Sequence, residues 1–405
     1  MSFVVSQKIL DKYADVLVNC ALNDGKGIKR GEVVLLQVPE CAKPLLFSLR
    51  RAVLKAGGHP IVQFFPDGDT RTSFARDFYK YASTKQLTFF PKKYLRGRID
   101  EIDHSIGILA DYKVHELKGI NPKKIMLSQE AMLPYKQWME DKESAKKFTW
   151  ALALYGTKAM ADEVNLTEKE YWNQIIKACY LDSPNPVKKW RAIMNQTLLL
   201  KKKLDSLRIQ KIHLEAKNID LWVGVGKNRN WLGGTGRNIP SFEIFISPDC
   251  RLTEGKISFN QPLYYFGNLI KGIALTFKKG KIIKATASEN EKLLKEMIKV
   301  KGANRIGEFS LTDGRVSHIT KFMGTTLYDE NRGGKEGNTH IAVGSAYKDC
   351  FPGNPSKVSK KQWASMGYNE SAIHVDIIST EKRRVTAFLE DGSQKVIYKN
   401  GKFVI

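Results

Sequence analysis

Four short apolar runs in the second half of this 405-residue chain each carry ionisable side chains. They centre on Glu243 (Phe242-Glu243-Ile244-Phe245), Glu308 (Ile306-Gly307-Glu308-Phe309), His340 (His340-Ile341-Ala342-Val343) and the pair His374 and Asp376 (Ala372-Ile373-His374-Val375-Asp376-Ile377-Ile378). A lone carboxylate or imidazole in an apolar run is costly to bury without a partner. A fold that accepts all four runs is therefore expected to let these groups partner one another, through metal ions. The last run reads as a strand. Alternation puts His374 and Asp376 on one face, where an imidazole and a carboxylate can grip one divalent cation.

Other site chemistries lack their patterns. Gly224-Val225-Gly226 and Gly233-Gly234-Thr235-Gly236 complete neither a dinucleotide fingerprint nor a phosphate loop. The chain holds no Gly-x-Ser-x-Gly elbow and no His-Glu-x-x-His helix. The 5 cysteines (Cys20, Cys41, Cys179, Cys250, Cys350) form no Cys-x-x-Cys pair and no evident disulfide framework, which predicts reduced core thiols in a cytoplasmic protein. Asp11 and Asp15 interrupt the apolar pattern Ile9, Tyr13, Leu17, so an amphipathic helix is expected there and not an export signal. No stretch approaches the ~18 consecutive apolar residues of a membrane span. The formal net charge of +24 raises nucleic acid as a partner. The basic residues are dispersed and mostly lysine, without a recognition motif, so the charge is read as a solvated surface.

Hydropathy divides the chain. Residues 1–156 alternate strand-length apolar runs (Gly31 to Val38, His59 to Phe65, Ser105 to Ala110, Phe148 to Leu154) with helical patterns such as Ala42 to Gly58. This predicts an α/β domain with a largely parallel sheet. Residues 157–206 read as a helical connecting segment: Thr167-x-x-Glu170 is a capping box and Pro186 starts a helix. Residues 207–405 read as a β-rich α+β domain with turns at Lys279-Gly280, Asp391-Gly392 and Asn400-Gly401. All four ionisable runs lie in that last part, which is expected to carry the metal site. His59, His104 and His115 in the first part are expected at the surface or at strand ends, and not as ligands.

The longer segments around the four runs are Gly236-Arg237-Asn238-Ile239-Pro240-Ser241-Phe242-Glu243-Ile244-Phe245, Arg305-Ile306-Gly307-Glu308, Thr339-His340-Ile341-Ala342-Val343-Gly344-Ser345-Ala346-Tyr347 and Asn369-Glu370-Ser371-Ala372-Ile373-His374-Val375-Asp376. In this order they resemble the aminopeptidase T family of metallo-aminopeptidases. The resemblance continues through the helical segment, at Met160-Ala161, Glu170-Tyr171, Cys179 and Pro186 to Trp190, and covers nearly the whole chain. It implies Glu243, Glu308, His340, His374 and Asp376 as ligands of two divalent ions (zinc, cobalt or manganese). It also implies catalytic roles for Glu308 and Tyr347, peptide substrates with a free N-terminus, and a cytoplasmic homodimer. This sequence departs from the family pattern twice. Phe242 replaces the usual glycine before Glu243, and is expected to narrow the substrate pocket or tilt Glu243. The Gly-rich stretch Asn331 to Asn338 is longer than usual and reads as a surface loop.

The expected chemistry is hydrolysis of the first peptide bond by a water activated between two metals, with Glu308 as the favoured bridge and Tyr347 facing the oxyanion. Two other classes stay open: a mononuclear iron ring-opening dioxygenase using two His and one carboxylate, and a basic binding protein with an inactive metal site. One iron would not need both Glu243 and Glu308, which favours the hydrolase.

Overall fold

The computed structural model describes residues 3–68, 73–265 and 268–405. The chain divides into two compact units, one of residues 1–190 with 236–239, the other of 191–235 with 240–405.

The first unit is built on a five-stranded sheet in the order His59–Phe65, Val33–Pro39, His104–Leu109, Thr149–Leu154 and Asn238–Ile239, with every neighbouring pair parallel. The first four strands are the apolar runs read from the sequence. Val34, Leu36, Ile106 and Ala151 are buried in it. The helix Lys43–Lys55 buries Leu45, Leu49 and Val53, and the chain leaves it through Gly57 at φ +82°. A left-handed residue at that point suits glycine, which pays no Cβ penalty. His104 opens its strand and is buried, with its ring nitrogens 2.8 Å from Thr149 Oγ1 and 2.8 Å from Glu32 Oε2. It is a satisfied core histidine. The capping box at Thr167 and Glu170 forms as read and starts the helix Glu168–Ala178.

Besides the short antiparallel pair Leu263–Tyr265 and Asn268–Ile270, the second unit holds two larger antiparallel sheets. An eight-stranded sheet runs in the order Lys281–Thr286, Ala274–Lys278, Thr253–Ser258, Ile219–Gly224, Ile209–Ala216, Arg383–Leu389, Gln394–Lys399 and Lys402–Phe403. The turns at Lys279-Gly280 and Asn400-Gly401 have positive φ at both residues, as tight hairpins require. A four-stranded sheet runs in the order His374–Ser379, Asn338–Gly344, Ile306–Thr312 and Glu243–Ile246. Ile212, Leu214, Val223 and Val385 of the larger sheet share one apolar core with Ile244, Phe309, Leu311, Ile341, Val343, Val375 and Ile377 of the smaller. Each such side chain, once buried, stabilises the unit by about 1.5–3 kcal/mol. That core fixes one face of the four-stranded sheet. With a side-chain period of two, the other face receives Glu243, Glu308, His340, His374 and Asp376.

Candidate metal centre

All five ionisable side chains singled out in the sequence meet on that second face. Oxygen and nitrogen atoms of Glu243, Glu308 and His340 lie within 4.8 Å of one another, and so do those of Glu308, His374 and Asp376. Glu308 belongs to both groups. Its Oε1 stands 3.0 Å from His340 Nε2, and its Oε2 3.6 Å from His374 Nε2. Glu243 Oε2 is 3.2 Å from His340 Nε2, and Asp376 Oδ1 is 3.4 Å from His374 Nε2. The sheet register explains the arrangement. Asp376 and Glu308 both pair with Ala342 from opposite sides, and His340 pairs with Ser310, next but one to Glu308. A bulge at Gly307 shifts Glu308 into this register.

Each imidazole is anchored through its other nitrogen. His340 Nδ1 lies 3.2 Å from the carbonyl of Glu330, and His374 Nδ1 2.7 Å from the carbonyl of Ser345. A carbonyl can only accept, so Nδ1–H donates and both Nε2 atoms turn towards the carboxylates. Ser310 Oγ donates to Glu243 Oε2 at 3.2 Å.

The electrostatics follow from burial. Desolvation pushes the Glu308 carboxyl up to about 7; Glu243 adds to this, and the two histidines oppose it. Burial alone would lower the His340 pKa, but the carboxylates of Glu243, Glu308 and Asp376 carry it well above its ordinary value. In the same way Asp376 and Glu308 overcome the burial of His374 and raise it to about 9. Protons on the two imidazoles thus offset the buried negative charge. Among the described residues no donor meets hydrogen-bond geometry at the buried Asp376 Oδ1, whose nearest imidazole nitrogen is His374 Nε2 at 3.4 Å. Three buried carboxylates with such an orphaned oxygen, and two imidazoles oriented by backbone carbonyls, fit divalent cations with mixed nitrogen and oxygen ligands.

Sequence reasoning missed Glu330. It is buried, and desolvation together with Glu243 and Asp376 pushes its carboxyl well above the usual range. It follows the four-residue helix Thr326–Asp329, outside any apolar strand run. The available signal was the cluster Asp329-Glu330-Asn331 directly after Leu327-Tyr328. The expected surface loop from Asn331 to Asn338 is also corrected. Asn331, Gly333, Gly337 and Asn338 are buried, and only Lys335 is exposed. A Cβ on Gly333 would stand 2.2 Å from the Ser317 carbonyl, and one on Gly337 2.1 Å from the Tyr398 hydroxyl. Here glycine permits close packing of backbone, not mobility.

Phe242 does not narrow the carboxylate face. It alternates with Glu243, is 3% exposed, and lies with Ile244 along a groove with Ile193 and Leu200. Its N–H donates to Asn331 Oδ1 at 2.6 Å. Tyr347 does reach the site. Its ring centroid is 4.6 Å from that of His374 and 5.6 Å from that of Phe245. Its backbone N–H donates to Ser247 Oγ at 2.8 Å. Although 46% of the residue is open to solvent, desolvation and the carboxylates of Glu308, Asp376 and Glu330 push its phenol well above the ordinary range.

The pattern of the thermophilic metalloprotease (M29) family matches residues 6–403. The chain belongs to this family. It is 27% identical to aminopeptidase PepS of Streptococcus thermophilus over 98% of each chain. To aminopeptidase T of Thermus aquaticus it is 29% identical over 71% of this chain and 74% of the relative. Wild-type AmpT from Thermus thermophilus shares the fold with a TM-score of 0.84, at 22% identity over 98% of this chain and 100% of the other. A 2,5-dihydroxypyridine dioxygenase from Pseudomonas putida shares it more distantly, with a TM-score of 0.53 at 14% identity over 99% and 98% of the chains. Membership of the M29 family makes this chain a metal-dependent peptidase, with the α/β and β-rich organisation read from its sequence.

Proposed function

We propose that this M29 chain removes N-terminal residues from peptides with two divalent ions. One would be held by Glu243, Glu308 and His340, the other by Glu308, His374 and Asp376. The observation that carries this reading is the presence of Glu308 in both groups. Two ions close enough to act on one water need a shared ligand, and a carboxylate with an oxygen turned to each side supplies it. Glu330 is a candidate for a further donor, because an added cation would relieve its repulsion by Glu243 and Asp376. Zinc, cobalt and manganese all suit these ligands.

Ions bound there supply Lewis acidity towards a peptide carbonyl and an acidified attacking water. The chain's own residues do the rest. Tyr347 would donate its hydroxyl to the oxyanion that develops at that carbonyl. The carboxylates give the free amine of a substrate a place to bind, which would restrict cleavage to the first residue. A cytoplasmic homodimer completes the reading, on the strength of the family resemblance.

The test combines metal analysis with substrate blocking. About two divalent ions per chain are expected on this reading. Aminoacyl anilides should be cleaved and their N-acetylated forms left intact. One iron per chain, with ring-opening activity, would favour the dioxygenase chemistry instead.

A further inference from the structure

Three chain segments cross at backbone distance beside the metal-binding face of the second unit. A Cβ on Gly302 would stand 2.1 Å from the Glu370 carbonyl, one on Gly344 2.0 Å from the Ile373 carbonyl, and one on Gly307 2.3 Å from the Ser345 carbonyl. At these three crossings segments 302–307, 344–346 and 369–373 therefore pack backbone against backbone, with no room for a side chain on the glycine. Asn369 is the side chain that joins all three. Its Nδ2 donates to the Gly302 carbonyl at 2.7 Å and to the Gly344 carbonyl at 2.5 Å. Its own carbonyl accepts the Ala346 N–H at 2.9 Å.

Ser345 sits between the two residues that Asn369 grips, and its carbonyl is the anchor of His374 Nδ1. His340 is anchored elsewhere, on the Glu330 carbonyl. The two imidazoles thus have separate backbone supports, and Asn369 bonds to the residues on either side of only one of them. We infer that Asn369 is a positioning residue for the His374–Asp376 half of the site. By clamping Gly344 and Ala346 it holds the Ser345 carbonyl against Nδ1–H, and so fixes the tautomer and direction of His374. This inference rests on the two-ion reading above.

The test is a zinc titration of the metal-free 405-residue chain by calorimetry, with metal analysis, for the wild type and for Asn369→Asp. The substitution keeps the shape but replaces the donating Nδ2 with an oxygen that only accepts. Loss of such a supporting bond should weaken one ion by about tenfold to a hundredfold and leave the other within about twofold. Both ions binding as in wild type, or both weakening alike, would overturn the inference; equal weakening is what a merely structural clip predicts. Should Asn369→Asp not fold, Asn369→Ala removes the same two bonds without adding charge and carries the same test. A wild-type chain that binds fewer than two ions would overturn the two-ion reading itself, before any variant is compared.

Discussion

Glu308 and His340 meet across neighbouring strands, with Oε1 3.0 Å from Nε2. The same carboxylate turns its other oxygen to His374. One side chain therefore stands between both imidazoles, and this is the relationship on which the proposed chemistry depends.

Replacing that charge tests it. Glu308→Gln nearly keeps the shape but removes the negative charge that two cations would share. A loss of about 10³-fold or more in kcat is expected, together with reduced metal content. Steady-state kinetics and metal analysis on the same preparation check both. A fully active variant would overturn the assignment of the site.

Tyr347→Phe separates the donor from the ligands. The ring keeps its packing on Phe245 and His374, and only the hydroxyl is lost. The kcat should fall by about 10²–10³, as for other oxyanion donors, with metal content unchanged. An unaltered kcat would leave Tyr347 with a packing role alone.

Metal uptake should release protons. In the metal-free chain His374 titrates at about 9, so it is charged at neutral pH, whereas a ligand imidazole must be neutral. Affinity should rise as pH approaches 9 and fall in acid. Calorimetry in buffers of different ionisation enthalpy near neutrality should count at least about one proton released per chain; none would contradict the pairing. The same raised pKa gives the metal-free fold a stabilisation that is fully present below about 6.5, the ordinary histidine value, and lost as pH rises through about 9.

Gly337→Ala probes the packed loop. The position has φ +55°, and the added Cβ would strike the Tyr398 hydroxyl. Strain and overpacking together should cost about 3 kcal/mol or more, read as a lower denaturation midpoint. A midpoint equal to that of the wild type would mean the loop is free to move after all.

The strands were legible because burial on one face writes a period of two into the sequence. Ile341 and Val343 alternate with His340 and Ala342, and Val375 and Ile377 with His374 and Asp376, so the ligand face follows once the core face is known. The hairpin turns were legible because few residues accept their positive φ. Glu330 was not, because it lies after a short helix among polar residues and only the tertiary fold buries it. The loop from Asn331 to Asn338 was misread for a related reason: glycine marks both mobile surface and tight backbone packing, and only the neighbours Ser317 and Tyr398 distinguish them. Nearness in sequence to Glu243 does not bring Phe242 to the carboxylates, because alternation sends it to the opposite face.

The most direct measurement is a titration of metal-free protein with zinc, followed at once by metal analysis and by the rate of hydrolysis of an unblocked aminoacyl anilide. Activity should reach its full value only as the second equivalent binds. Full activity with one ion per chain, or in the presence of excess chelator, would overturn the two-ion mechanism.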